Sequence, residues 1–388
     1  MNPTHFPGNS SFWYETLRVY GAIAYGAADY GEVATTAERI TEGDYDSWHD
    51  EWRATADRVA AEAGSQDRIG ARDAYLRAAN YYRNAEFFLH GDPGDPRIDA
   101  AYARQVACFH KYAEIAGIER VEIPFEGTSL PGYFYRGTGG ATVVMHNGFD
   151  GSAEEMHGFA AAALHERGYN VLVFDGPGQP GAMRRGLVFR PDWESVVSPV
   201  LDFLLARPYV DEERVALLGL SMGGMLAPRA AAFEPRIRAV IALDGVYDMG
   251  AVVAAAFGGD REVARKALAE PGADAFLAEL MAGNPVMRWA FTHGSWATGL
   301  SYSGYATAML GYHVRDGIAE RITCPTLVCA APGDTFFQGQ PEALFEHLTC
   351  EKTFMEFTAA EGADAHCQSG ALRLAMGRIG AWLERTFK

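Results

Sequence analysis

A mostly parallel central sheet flanked by helices is predicted by three observations. Between residues 141 and 244, apolar strand-like runs alternate with amphipathic helical runs. A G-x-S-x-G motif lies where one of those strands passes into a helix. The alternation breaks off near residue 246 and resumes at Pro325. Strands that alternate with helices form parallel sheets covered on both faces.

Residues 11 to about 117 have a helical pattern. Apolar side chains recur at three- and four-residue spacing in 50–63 and 71–88, with breakers at Gly64-Ser65 and in 91–96. Residues 96–117 read as a further helix stopped by Gly117. Aromatic residues such as Trp48, Trp52, Tyr81 and Phe88 are expected to pack these helices, with some lining a substrate pocket. At Arg120 the period becomes two. Val121, Ile123 and Phe125 alternate with polar residues, Pro131-Gly132 intervenes, and Tyr133-Phe134-Tyr135 follows, as in antiparallel strands. Core strands are predicted over 141–146, 170–175, 214–219 and 238–244, with helices over 153–167, 192–206 and 222–233. Residues 246–317 read as a helical insertion broken at Gly258-Gly259, Pro271-Gly272 and Gly283-Asn284-Pro285. A strand over 325–331, a helix over 341–348, a strand over 352–358 and a helix over 369–387 complete the core. The expected organisation is a helical N-terminal domain (1–119), a first core segment (120–245), a helical lid (246–317) and a second core segment (318–388).

The 388 residues are 48% hydrophobic, ample for a large core. A formal net charge of -17 and a pI near 5.1 disfavour nucleic acid and anionic membranes as partners. The five cysteines (Cys108, Cys324, Cys329, Cys350, Cys367) are odd in number and form no C-x-x-C, so reduced core thiols are expected. Residues 1–20 lack a basic segment followed by an apolar run, and no stretch offers about 20 uninterrupted apolar residues. A soluble, cytoplasmic protein acting on a small molecule is the expectation. No phosphate-loop lysine, dinucleotide glycine pattern or H-E-x-x-H occurs, and His146, His157 and His165 lack zinc spacing, so neither cofactor nor metal is expected.

Gly219-Leu220-Ser221-Met222-Gly223 has the context that a nucleophile turn requires, a strand before and a helix after. This predicts the α/β-hydrolase fold, with Ser221 lifted to the carboxyl edge of the sheet. A serine hydroxyl needs a base, and the base an orienting acid, in the chain order Ser, acid, His. Of the later histidines, His347 falls within a helix and His293 and His313 in the insertion. His366 lies in the loop between the final strand and helix, at the edge bearing Ser221, and is the expected base. Asp334, after the strand ending in Ala331, is the expected acid, with Asp244, Asp248 and Asp364 as alternatives. The oxyanion requires two N–H donors. Met222 is expected to supply one, and Gly148 or Phe149 in the loop His146–Gly151 the other. His146 is expected to buttress that loop.

The ordered set HNGFDG (146–151), FDGPGQ (174–179), GLSMGG (219–224), APGDT (331–335) and AEGADAHC (360–367) resembles the 2,6-dihydroxypseudooxynicotine hydrolase group of α/β-hydrolases. That group includes fungal hydrolases that shorten polyketide chains, and assorted esterases. The resemblance covers residues 120–388, and its members carry a helical domain ahead of the core. It implies Ser221 as nucleophile, Asp334 as acid and His366 as base. Some members cleave a C–C bond beside a ketone with the help of a further acid, for which Asp248 and then Asp244 are the candidates here. Pro180-Gly181 departs from the group's continuation of the FDGPGQ loop, which predicts a differently shaped turn. The functional expectation is C–C bond hydrolysis on an aromatic or polyketide-like substrate. Carboxylesterase or acyl transferase activity is the alternative, and a non-catalytic binding protein a third. The N-terminal helices are expected to cover the site, to form a homodimer interface, or both.

Overall fold

Helices open the chain, and most begin at a side-chain cap. The computed structural model describes residues 3–388. Its first helices are α1 (Ser10–Ala22), α2 (Tyr30–Ala37), α3 (Tyr45–Ala63), α4 (Arg68–Glu86) and α5 (Pro96–Ala116). Asn9, Asp44, Asp67 and Asp95 accept from the free N–H groups at the starts of α1, α3, α4 and α5. Gly117, at φ 75°, ends α5 as the sequence predicts. A 3-10 turn over Phe87–Gly91 joins α4 to the loop before α5.

The strands are β1 (Glu119–Phe125), β2 (Thr128–Tyr135), β3 (Thr142–His146), β4 (Asn170–Phe174), β5 (Val215–Leu220), β6 (Ala239–Leu243), β7 (Thr326–Ala330) and β8 (Lys352–Glu356). They form one sheet in the order β1-β2-β4-β3-β5-β6-β7-β8. The β1–β2 and β2–β4 pairs are antiparallel, and from β4 to β8 every pair is parallel. Crossovers carry α6 (Ala162–His165), α7 (Pro180–Met183), α8 (Glu194–Leu205) and α9 (Gly223–Ala231). The stretch 153–167, predicted as one helix, opens with a wide π-helical turn over His157–Ala161 before α6. That turn sets His157 against the hydroxyls of Tyr112 (3.0 Å) and Tyr135 (3.3 Å). It also brings Gly158 so close to the end of α1 that an added Cβ would lie 3.4 Å from Ala22 Cβ.

Alternate residues of the core strands face opposite sides. Val143, Met145, Val173, Leu218 and Ile241 belong to one apolar cluster, and Val144, Leu172, Leu217, Val240 and Val328 to the other. The second cluster includes side chains of α8 and α9. The first includes side chains of the last helix, and it runs unbroken into Phe12, Trp48, Trp52, Tyr81 and Phe109 of the N-terminal helices. The boundary near residue 119 is therefore no break in apolar packing.

After β6 the chain leaves the sheet and forms α10 (Gly250–Ala255), α11 (Arg261–Leu268), α12 (Ala273–Ala282), α13 (Pro285–Thr298) and α14 (Tyr302–Met309). It returns at β7 and ends with α15 (Gln340–His347) and α16 (Leu372–Thr386). The parallel strands β3, β5, β6, β7 and β8 all end at one edge, the edge where α/β sheets bind ligands. None of the described helices is long and apolar enough to cross a membrane.

The turn after β5 is tight. A Cβ on Gly219 would lie 2.0 Å from the carbonyl oxygen of Gly223, and one on Gly224 would lie 2.2 Å from that of Asp244. Both obstacles are backbone and cannot swing aside. We expect Gly224→Ala to destabilise the fold by about 3 kcal/mol or more, the upper range for overpacking. Gly377→Ala on α16, where an added Cβ meets nothing within 4 Å, should be neutral or stabilise by up to ~1 kcal/mol. Urea denaturation of the two variants checks the contrast.

Candidate active site

Ser221 follows the last residue of β5 and has φ 59°. Its N–H donates to Leu243 O (3.0 Å), and its C=O accepts from Gly224 N (2.7 Å), so the turn is fixed from both sides. His366 lies after β8 in a short 3-10 turn whose next residue, Cys367, has φ 52°. His366 Nε2 lies 2.9 Å from Ser221 Oγ, and Nδ1 lies 2.7 Å from Asp334 Oδ2. Asp334 sits after β7, and its other oxygen accepts from Phe336 N at 2.7 Å. A carboxylate only accepts hydrogen bonds, so the Nδ1 proton points at Asp334. Nε2 of the neutral ring is then free to accept from the serine hydroxyl. The sequence candidates Ser221, His366 and Asp334 thus meet in one hydrogen-bonded chain.

Asp244 also reaches this histidine. Its Oδ2 lies 3.0 Å from His366 Nδ1 and accepts from the Cys367 N–H, and its Oδ1 accepts from Gln368 Nε2 at 2.8 Å. Asp244 therefore ties down the whole His366–Gln368 turn. Asp248 does not come to the cavity. Its carboxylate is held by Arg261 (2.6 Å), Arg315 (3.4 Å) and the Gly250 N–H (2.9 Å), so it anchors the root of the insertion. Asp364 packs against Gly333, beside Asp334 in sequence. His347 stacks on Tyr247, with centroids 4.3 Å apart.

Burial opposes a charge on His366, but Cys367, Tyr14 and the carboxylates of Asp334 and Asp244 together raise its pKa well above the ordinary value. Burial raises Asp334, and the imidazole beside it more than offsets this, leaving its carboxyl below the usual range. Burial pushes the Cys367 thiol up to about 12, so it is a neutral neighbour of the ring at pH 7. Asp244, His366 and Cys367 bring ligand-type atoms within 4.8 Å of one another. The Asp244 oxygens and the His366 nitrogens already have hydrogen-bond partners within the chain.

The loop after β3 lies against this turn. A Cβ on Gly148 would be 2.8 Å from Met222 N. Of the two loop candidates for an oxyanion donor, Gly148 has its N–H committed to Asn147 Oδ1 at 2.7 Å. Among the described residues, no partner appears for the N–H of Phe149 or of Met222. Gln179, from the FDGPGQ segment, donates to Asn147 O (2.6 Å) and Gly148 O (3.1 Å) and so clamps the loop. Pro180 then begins α7. Burial lowers His146 to about 4, leaving a neutral ring. One nitrogen lies 2.9 Å from Asn147 O and the other accepts from Trp193 Nε1 (3.2 Å), a buttress as expected.

A cavity of about 270 Å³ opens over Ser221 and His366. The insertion lines it with Met249, Val253, Trp289, Phe291, Tyr305 and Met309, and the N-terminal region with Phe87 and Phe88. Helix α1 adds Ser11, Tyr14, Glu15 and Arg18, one face at three- and four-residue spacing. Tyr14, Phe336 and Phe337 surround the His366 ring at centroid distances of 5.9, 5.0 and 5.3 Å. Sequence reasoning missed the charged part of this wall. Arg18 pairs with Asp150 (2.7 Å) and Glu155 (2.7 Å), and Arg83 with Glu15 (2.5 Å), Asp150 (3.2 Å) and Glu155 (3.4 Å). Its signal was the set Glu15, Arg18 and Arg83, placed where apolar residues would be expected on helices with a buried face.

The profile of the alpha/beta hydrolase family matches residues 143–369. The 20-hydroxy-prefusarin hydrolase FUS2 of Gibberella moniliformis is 37% identical, over 97% of this chain and 96% of that protein. The hydrolase acrC of Aspergillus aculeatus is 35% identical, over 97% of this chain and 96% of that protein. The crystal structure of 2,6-dihydroxy-pseudo-oxynicotine hydrolase has the same fold, with TM-score 0.73, 21% identity and 95% of each chain covered. A family profile that runs from β3 to the turn holding His366, and relatives aligned from end to end, make this chain an enzyme of the alpha/beta hydrolase family.

Proposed function

We propose that the chain is a serine hydrolase that cleaves a C–C bond beside a carbonyl in an aromatic or polyketide-like substrate. The observation that carries the serine mechanism is the continuous hydrogen-bonded chain Ser221–His366–Asp334 at the floor of an aromatic-lined cavity. The name of the 37%-identical relative, 20-hydroxy-prefusarin hydrolase, supports a hydrolysed natural product of that kind.

In this reading His366 Nε2 takes the hydroxyl proton as Ser221 Oγ attacks the carbonyl carbon. The oxyanion is held by the N–H groups of Met222 and Phe149, aimed where charge develops. Collapse breaks the bond to the neighbouring carbon. The leaving carbanion, stabilised by its own carbonyl, takes the proton from the His366 imidazolium. Water, deprotonated by His366, then releases the acyl group from Ser221. Asp334 orients the imidazole and balances its charge. Asp244 is the auxiliary acid, holding the His366 turn through Cys367 and Gln368. Walls from α1 and from the insertion limit water, which favours protonation of the carbanion by the enzyme. Esters would react by the same acyl-enzyme route. Assay of β-diketones against aryl esters of matched size is the deciding experiment. A C–C hydrolase yields the acid and the ketone from the diketone, whereas an esterase or acyl transferase leaves the diketone intact.

Ser221→Ala should abolish turnover with the unfolding midpoint unchanged. Asp334→Asn should lower kcat by about 10³- to 10⁴-fold. Asp248→Asn should leave kcat for a small aryl ester within a few-fold and loosen the insertion to proteolysis. Kinetics on the three purified variants check the set, and an exchange of the two aspartate results would move the acid to position 248.

The pH profile follows from His366. A protonated imidazole cannot accept the serine proton, so kcat/KM falls as pH drops through its folded pKa. Because that pKa is raised, the acid limb should lie on the alkaline side of about 6.5, the value of a free imidazole. Asp334→Asn should move the residual activity's limb toward lower pH. The linkage to stability has the same origin. The ion pairs of His366 contribute fully below the unfolded pKa, and the contribution is lost as pH rises through the folded one. A pH series of kcat/KM and of urea midpoints measures both.

A further inference from the structure

Phe149 joins the site to the rest of the molecule through its two backbone groups. Its N–H is one of the two unpartnered donors beside Ser221. Its C=O lies 2.9 Å from His293 Nε2, on α13 of the insertion. Nδ1 of His293 lies 2.8 Å from Nδ1 of His90, in the turn after α4, and His90 Nε2 lies 3.2 Å from Glu86 Oε2. Glu86, His90 and His293 are all buried. The oxyanion loop, the insertion and the N-terminal helices thus meet in one line of hydrogen bonds.

Donor counting fixes the protons along that line. A carbonyl only accepts, so His293 carries its proton on Nε2 and donates it to Phe149 O. Nδ1 of the neutral His293 ring is then an acceptor, and the donor must be His90 Nδ1–H. Glu86, as a carboxylate, also only accepts, so His90 Nε2 carries a proton too. The line thus runs from Glu86 through both nitrogens of His90 and both of His293 to the Phe149 carbonyl. The surroundings agree. Burial, together with the neighbouring charge of His90, pushes His293 down to about 4. Burial raises Glu86, but His90, Arg184 and Arg83 outweigh it and hold the carboxyl below its ordinary value. The other charged group facing His293 is Asp150, which is paired with Arg18 and Arg83.

We propose that Glu86, His90 and His293 are positioning residues that aim the Phe149 peptide, so that the second oxyanion donor is set only when the insertion is seated on the N-terminal helices. The proposal rests on the serine-hydrolase reading above. The physical need is strict, because a displacement of 1 Å at a reacting centre can cost about 10²-fold in rate. The alternative role for His293 is packing. Its ring stacks on Trp289 at 5.2 Å and 6° and meets Phe149 edge-on at 4.6 Å.

Two pairs of substitutions separate these roles. His293→Gln retains an N–H near the Nε2 position and gives up the ring, whereas His293→Phe retains the ring and gives up the donor. His90→Asn and His90→Phe make the same exchange at Nδ1. The readouts are kcat and KM for p-nitrophenyl acetate and the rate of Ser221 labelling by a fluorophosphonate, with unfolding midpoints recorded for each variant. Positioning predicts that the phenylalanine variants lose about 10- to 100-fold in kcat at nearly constant KM, less than the 10²–10³ of deleting an oxyanion donor outright. It predicts that the amide variants stay within about 5-fold of wild type. Packing predicts the reverse order, and that order, or no difference within the pairs, overturns the proposal. If one phenylalanine variant does not fold, the pair at the other histidine decides. A wild-type enzyme that resists labelling at Ser221 overturns the serine reading and the positioning role with it, whereas normal labelling with the wrong order within the pairs overturns the positioning role alone.

Discussion

At Ser221 the backbone passes through φ 59° at a residue with a side chain, and it is held there by hydrogen bonds to Leu243 and Gly224. Such a conformation is uncommon outside glycine and persists only where the surroundings over-determine it. Here they do so by contact. Gly219 and Gly224 let β5, α9 and β6 approach at backbone distance, and Gly223 admits the backbone of the loop after β3. The same closeness brings Asp244 O against Gly224 and the Asp244 carboxylate under the His366 turn. Asp244 is itself at φ 57°, and Cys367 and Gln368 at φ 52° and 51°. Four residues with positive φ and side chains thus lie within one hydrogen-bonded patch, and each is held by its neighbours.

The second constraint is ionic. Arg18 and Arg83 lie buried among Glu15, Asp150 and Glu155, connecting α1 and α4 to the loop after β3 and to the segment that follows it. Taking such groups out of water costs several kcal/mol per ion before mutual attraction repays it, so a cluster of this kind contributes little net stability. Removing one partner is another matter, because it strands a buried charge at a cost of about 3–5 kcal/mol. The cluster therefore acts by selection. Only the arrangement in which α1, α4 and the loop after β3 are all in register satisfies it. Asp150, held well below its ordinary pKa by Arg18 and Arg83 against the effect of burial, is the loop's fixed point one residue beyond Phe149.

Much of this was legible in the sequence because it depends on local pattern. Apolar runs alternating with helical ones located the core strands, period-two runs the two strands ahead of them, the G-x-S-x-G context located Ser221, and strand ends placed Asp334 and His366 at its edge. What was not legible depends on pairs far apart in the chain. Arg18 meets Glu155 and His90 meets His293 only after α1, α4 and α13 have packed together, and no spacing rule connects them. Of Asp244 and Asp248, four residues apart after β6, the sequence favoured Asp248 as the further acid. The structure separates them by what lies opposite: the His366 turn for one, Arg261 and Arg315 for the other. The helix predicted over 153–167 gave way to a wide turn because His157 and Gly158 answer to Tyr112, Tyr135 and α1, contacts that a helical pattern cannot register.

The packing of α1 has a consequence for how the protein is made. Gly21 lies so close to the turn after His366 that an added Cβ would stand 1.8 Å from Ser369 O and 3.4 Å from a methyl of Leu372. Tyr14 reaches the same turn, with its hydroxyl 3.3 Å from Ser369 Oγ. Helix α1 thus has part of its docking surface in a segment that lies 355 residues further along the chain. Until that part emerges, the face of α1 that carries Tyr14 and Gly21 lacks this seat. Nascent chains cut short of residue 366 lack both His366 and this seat for α1.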